Sequence, residues 1–126
     1  MIILNLPYPN SANTHWRHAR GRTYVSASGM RYRAKVGEYM SRSELKAPDG
    51  FLEIIIALFP DSKRRSDIDN RIKPLLDALT CAGFWQDDSL ISRITIERMP
   101  ITKGGKAVVL VLQYTPTQQG VTHGIN

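Results

Sequence analysis

A chain of 126 residues, 42% hydrophobic and 22% charged, suits one compact domain with one core. Its longest apolar run, residues 54–59, is the size of a strand and far short of the roughly 20 residues that a membrane span needs. A single cysteine, Cys81, excludes an internal disulfide and a cysteine-based zinc site, and the first residues lack the basic start and apolar stretch of a signal peptide, so a cytoplasmic protein is expected.

The formal charge is +6, and its distribution says more than its size. Residues 1–37 hold no Asp or Glu but carry Arg17, Arg20, Arg22, Arg31, Arg33 and Lys35; from Glu38 onward, basic and acidic residues cancel. A one-signed stretch suits a polyanion, and nucleic acid is the commonest one. A solubility surface, or an RNA or lipid contact, would leave the same signature.

In chain order, residues 1–7 read as a short first strand. Residues 8–22, rich in Pro, Asn, Ser, His and Arg, read as a loop, and residues 23–25 as a brief extended piece. Ser26 or Ser28 is placed to cap a helix running to about Leu45, with Tyr32, Val36, Tyr39 and Met40 forming one apolar stripe. Residues 47–50, Ala-Pro-Asp-Gly, make a turn. Residues 51–59 predict a central strand buried on both faces, ended by Pro60. After a charged loop, Asp69 or Asn70 is placed to cap a second helix that ends before Gly83 and shows an apolar face of Ile72, Leu75, Leu76 and Leu79. Pro74 requires that the regular helix begin close to Lys73 or be distorted there. Residues 90–99 and 107–114 read as strands. The expectation is an α+β (mixed α/β) fold: one domain over residues 1–114, a mixed sheet with two main helices packed on it, and a flexible polar tail over 115–126.

The sharpest local feature is Ser66-Asp67-Ile68-Asp69-Asn70. In an extended segment Asp67 and Asp69 would point the same way, with Ile68 turned into the core. Two such carboxylates repel unless a cation or a proton lies between them, and hard oxygen ligands select Mg²⁺ or Mn²⁺. Lys63, Arg64, Arg65, Arg71 and Lys73 around them would draw in phosphate, and metal-assisted phosphodiester hydrolysis needs that combination. A solvated loop with an Asp helix cap fits the same five residues. Asp87 and Asp88 form a second acidic pair, which fits an exposed turn or, between the aromatics before it and the strand beginning at Leu90, an anchored one. A helix of about 12 residues, roughly 18 Å long, separates the two pairs, which argues against contact in a straight chain, whereas a β-α-β return would allow them to converge. Lys73 lies one helical turn after Asp69, where it can face a phosphate; pairing with Asp77 at i+4 is the alternative. His15 and His18 would share a metal only if their segment were helical, and a DNA contact or plain loop is the simpler reading. Trp16 and Tyr24, among arginines, suit base stacking or the edge of the core. Cys81 reads as a small buried residue.

Five blocks occur in order: Arg17-His-Ala-Arg-Gly-Arg-Thr-Tyr-Val-Ser26, Arg65-Ser-Asp-Ile-Asp-Asn70, Asp77-Ala-Leu-Thr80, Ala82-Gly-Phe-Trp-Gln-Asp-Asp88 and Met99-Pro-Ile-Thr-Lys-Gly-Gly105. Together they resemble the RusA Holliday junction resolvases of bacteria and their phages, over residues 7–114. The resemblance implies a homodimer that binds four-way DNA junctions and nicks two opposing strands symmetrically with Mg²⁺, with Mn²⁺ as the expected substitute. It carries the family's essential aspartates onto Asp67, Asp69 and Asp88, which would bind the metal, and its essential lysine onto Lys73. The expected DNA contacts are Arg17, Arg20, Arg22, Lys63, Arg64, Arg65 and Lys103. A less selective branched-DNA or flap nuclease, and a non-catalytic DNA-binding protein, are the competing functions. Pro74 directly after the lysine and the polar tail depart from the family pattern.

Overall fold

The computed structural model describes residues 1–64 and 67–117. In chain order the elements are β1 (Ile2–Leu6), α1 (Ala12–His15), β2 (Trp16–Ala19), β3 (Arg22–Val25), α2 (Ala27–Ser43), β4 (Leu52–Phe59), α3 (Ile72–Cys81), β5 (Ile91–Arg98) and β6 (Lys106–Gln113), with 3₁₀ turns at Ile68–Arg71 and Asp88–Leu90. The main sheet runs β1-β6-β4-β5, and β2 and β3 make a separate two-stranded hairpin. Pairing is antiparallel except between β4 and β5, which are parallel and joined through α3. This is the mixed sheet with two principal helices that the sequence predicts.

β4 is central, as its apolar run requires, but only one of its faces is fully buried. Leu52, Ile54, Ile56 and Leu58 join Leu4, Leu6, Val109 and Val111 in a core closed by Tyr32, Val36 and Met40 of α2 and Leu75, Ala78 and Leu79 of α3. The opposite face of the sheet is half-covered, because both helices pack on the same side. A continuous apolar run therefore does not mean two covered faces here.

Ser26 caps α2 by accepting from the Gly29 N–H at 3.1 Å. Tyr32, Val36 and Met40 of the stripe are buried, and Tyr39 is partly so. The Tyr32 hydroxyl donates to the Pro7 carbonyl at 2.9 Å, and its burial pushes the phenol above its usual range. Neither Asp69 nor Asn70 caps α3; both lie in the preceding 3₁₀ turn, and Arg71 occupies the cap position without a side-chain capping bond. Pro74 falls third in α3, where the first turn tolerates it. Cys81 is exposed rather than buried, since it ends α3 off the helix's apolar face.

Residues 8–22 are not a plain loop. They contain α1, whose cap Ser11 accepts from Asn13 N–H at 3.1 Å, and the first strand of the hairpin. The two-residue turn Arg20-Gly21 has positive φ at both positions, 51° and 72°, the type I′ combination whose twist matches that of a hairpin. Residues 118–126 of the expected tail lie outside the described residues, and among the described residues no helix is long and apolar enough to cross a membrane.

Candidate active site

Asp67 is extended, but the chain winds into a 3₁₀ turn at Ile68, with the Asn70 N–H donating to the Asp67 carbonyl at 3.3 Å. The extended Asp-x-Asp geometry is therefore not formed. The reason lies in the neighbours: Ile68 and Ile72 both pack against the core, and a helical path brings residues four apart onto one side. Ile68 does turn inward, as expected. Asp67 and Asp69 are exposed, and neither carboxylate has a side-chain partner among the described residues.

The Lys73 ammonium donates to Asp88 Oδ2 at 3.2 Å, and not to Asp77. This contact spans the length that the intervening helix seemed to impose. After α3 the chain doubles back: the Phe84 N–H donates to the Leu79 carbonyl at 3.1 Å, Trp85 Nε1 donates to Thr80 Oγ1 at 2.7 Å, and both rings are buried. The anchored turn returns Asp88 to the start of α3, and the Ile68–Arg71 turn packs beside β5, the strand that Asp88–Leu90 leads into. Asp87 has a local task instead. Its Oδ1 accepts from the Ser89 N–H at 3.0 Å, a bond that holds the carboxyl below its usual range.

The donor chemistry of this corner fits a hard divalent cation, with two exposed carboxylates that have no side-chain partner among the described residues and a third held by the lysine at the start of α3. It is not a closed metal cage: among the described residues no group of three or more His, Cys, Asp or Glu is gathered closely enough to hold a metal ion. Lys73 and Asp88 are respectively 63% and 30% exposed, so their ion pair contributes at most about 1 kcal/mol and is open to competition.

The basic residues fall into two groups. In the hairpin, Arg17 pairs with Tyr24 and Ala19 with Arg22, which puts Arg17, Arg22 and Tyr24 on one exposed face, with Arg20 at the tip. Trp16 is half-buried, edge-on to His15 at 4.4 Å, whereas Tyr24 is 52% exposed. In the second group, Lys63 and Arg64 are exposed in the loop after β4, and Lys103 lies in a turn tied to that loop by the Thr102 N–H donating to the Pro60 carbonyl at 2.7 Å. Arg65 lies outside the described residues. Arg71 belongs with this group: its Nη1 donates to the Pro9 carbonyl at 2.9 Å, its guanidinium stands 5.1 Å from the centre of the Tyr8 ring, and its Nε is buried without a hydrogen-bond partner among the described residues.

Sequence reading missed one further cluster. His15 is fully buried, and its Nε2 meets Asp77 Oδ2 at 2.9 Å; a carboxylate only accepts, so Nε2 carries the proton. Arg33 grips the same carboxylate in a bidentate pair, at 2.7 and 3.0 Å. His15 ends α1 and His18 lies in β2, so no helix presents them together; His18 Nδ1 instead meets Thr23 Oγ1 at 2.9 Å. Partial burial works against the charge on Asp77, but the bonds and charge of Arg33 and His15 outweigh it and hold the carboxyl below its ordinary value of 3.8. A depressed folded-state value contributes stability that is complete above the unfolded value and is lost as pH falls through the folded one. Denaturation midpoints measured from about pH 5 down to about pH 2 should therefore show an acid-side loss that Asp77→Asn reduces. An identical profile in the variant would mean that this carboxyl is not depressed.

The family model for endodeoxyribonuclease RusA matches residues 7–111. The chain is 40% identical over 118 residues to the crossover junction endodeoxyribonuclease RusA of Escherichia coli K12, covering 93% of this chain and 94% of that protein. The protein of the same name from Enterobacteria phage 82 is likewise 40% identical, and that of Shigella sonnei 39%, over the same shares. A match of this extent, running from the loop after β1 to the last strand, shows that the chain belongs to the RusA endodeoxyribonuclease family.

Proposed function

We propose that this chain is a Mg²⁺-dependent endodeoxyribonuclease that resolves four-way DNA junctions as a homodimer, in the cytoplasm of a bacterium or a phage-infected host. The observation that carries the reading is the meeting of Lys73 with Asp88 beside the turn that exposes Asp67 and Asp69, in a chain 40% identical to proteins named crossover junction endodeoxyribonucleases.

Asp67 and Asp69 would hold the metal, with Asp88 as a third carboxylate once Lys73 turns to DNA. When bound, Mg²⁺ supplies screening of the charge that develops on phosphorus and lowers the pKa of water. Lys73, on the first turn of α3, has an exposed ammonium that can leave a weak ion pair for a phosphate oxygen. Lys63, Arg64 and Lys103 orient the backbone beside the acidic turn, and the hairpin arginines grip it further along. Exposed Tyr24, between Arg17 and Arg22, is placed to stack on a base opened at the branch.

Incubation of a labelled synthetic four-way junction with and without Mg²⁺ tests the whole reading. Paired symmetric incisions only with Mg²⁺ are expected. Equal cutting of a flap substrate would favour the less selective nuclease, and binding without incision would favour a DNA-binding protein.

The hairpin contacts carry their own prediction. Neutralising Arg17, Arg20 or Arg22 singly should weaken junction binding and flatten the slope of log K against log salt by about one unit, as one phosphate contact is lost. Three unchanged slopes would move DNA binding to another surface.

A further inference from the structure

A two-stranded hairpin is at best marginally stable alone in water, so the β2–β3 ribbon must take its pose from its attachments. Those attachments meet at His15. The Ser26 N–H, at the exit of the hairpin, donates to the His15 carbonyl at 2.8 Å, closing the base of the ribbon. Ser28 Oγ donates to the neighbouring Thr14 carbonyl at 3.1 Å. Gly29 leaves the room: a Cβ there would stand 2.8 Å from the His15 carbonyl oxygen and 2.9 Å from its Nδ1. The His15 ring then crosses the fold to Asp77, where Arg33 of α2 completes the joint. Asp77 lies one helical turn after Lys73. One helix thus holds the base of the basic hairpin at one turn and presents its lysine to Asp88 at the turn before.

We propose that His15, held by Asp77, is a positioning residue that fixes the basic hairpin against α3, so that a strand gripped by Arg17, Arg20 and Arg22 is delivered to the Asp67 and Asp69 turn. The delivery half of this inference rests on the nuclease reading above; the anchoring half does not. Nδ1 lies against the Asn10 side chain, 3.2 Å from its Nδ2 and 3.3 Å from its Oδ1, so the ring is bound on both sides and cannot rotate without losing both contacts.

The test compares His15→Phe, which keeps an aromatic ring but removes both nitrogens, with His15→Gln, whose amide can again donate to Asp77. Amide hydrogen exchange is read in the hairpin and in β4 and β6, and incision of a four-way junction is followed in single turnover at saturating protein. His15→Phe should speed exchange about tenfold in the hairpin alone. It should slow incision about tenfold or more while junction affinity changes less than about threefold, as expected for misplaced rather than lost substrate. His15→Gln should recover most of both. If His15→Phe does not fold, Asp77→Asn carries the comparison, with hairpin exchange expected to speed well beyond the uniform change in β4 and β6 that follows from losing its charge on Arg33. Unchanged hairpin exchange, or acceleration spread equally through β4 and β6, overturns the anchoring role, and wild-type incision by a loosened hairpin overturns the delivery role. A wild-type protein that fails to cut any junction would defeat the nuclease reading itself, and the exchange comparison would still decide the anchoring.

Discussion

Asp69→Asn should lower junction incision by about a thousandfold or more while leaving junction binding at least as tight as in the wild type. The side chain is exposed and has no partner among the described residues, so the substitution costs the fold almost nothing, within about 0.5 kcal/mol. Any loss is then a loss of chemistry. Metal-borne charge stabilisation worth several kcal/mol corresponds to the predicted factor, at roughly 1.4 kcal/mol for each tenfold change. On the proposed reading, binding rests on other residues, chiefly the hairpin arginines and the loop cations, and removing a negative charge beside the phosphate path would reduce repulsion. The measurement pairs single-turnover cleavage in Mg²⁺ with a binding titration in a chelator. Cleavage at the wild-type rate would remove Asp69 from the reacting site and with it the proposed role of the acidic turn. Asp87→Asn is the natural contrast: its carboxylate caps a turn, so it should alter stability slightly and incision little.

Much of this arrangement was legible in the sequence, for reasons that particular residues make plain. The nearly continuous apolar run 51–59 reads as a central strand, and Tyr32, Val36, Tyr39 and Met40, at i, i+4, i+7 and i+8, read as one face of a helix. The hairpin was hidden because its strands are four residues long and polar, and because its turn places an arginine, Arg20, where Asn or Asp usually signals the type I′ conformation. α1, also four residues long, is too short to show any period. At the site, the identities of the four expected residues followed from the family resemblance, but the local geometry did not. Period-two reasoning put Asp67 and Asp69 on one side of a strand, whereas the pull of Ile68 and Ile72 toward the core winds that segment into a turn. Asp77 was offered to Lys73 as an i+4 partner. Its actual partners, Arg33 and His15, are 44 and 62 residues away, and only the packing of α1, α2 and α3 against one another brings them into reach.

The second large effect concerns stoichiometry. Resolution takes two incisions at symmetry-related points, and this chain carries one expected acidic set, Asp67, Asp69 and Asp88, with no internal repeat to supply another. A C₂ dimer is the simplest arrangement that sets two sites on a two-fold junction. The sheet offers a surface for it. On the side away from the helices, Ile3, Leu110 and Ile55 form one cross-strand row and Val108 and Ala57 part of the next, and Ile3 is 50% exposed. An apolar centre of this kind, with Asn5, Thr95 and Glu97 at its margins, suits a self-complementary contact. Mixed dimers of wild-type and Asp69→Asn subunits, purified by differential tags, should convert a supercoiled plasmid with an extruded cruciform mainly to nicked circles, whereas wild-type dimers should give linear product. Leu110→Glu, which places a charge in the middle of the row, should shift the protein toward monomer in light scattering and abolish linear product while sparing the fold. Mixed dimers that linearise the plasmid as efficiently as wild type would mean that one active site serves both strands. Monomers alone, both free and on the junction, would remove the two-site geometry at its base.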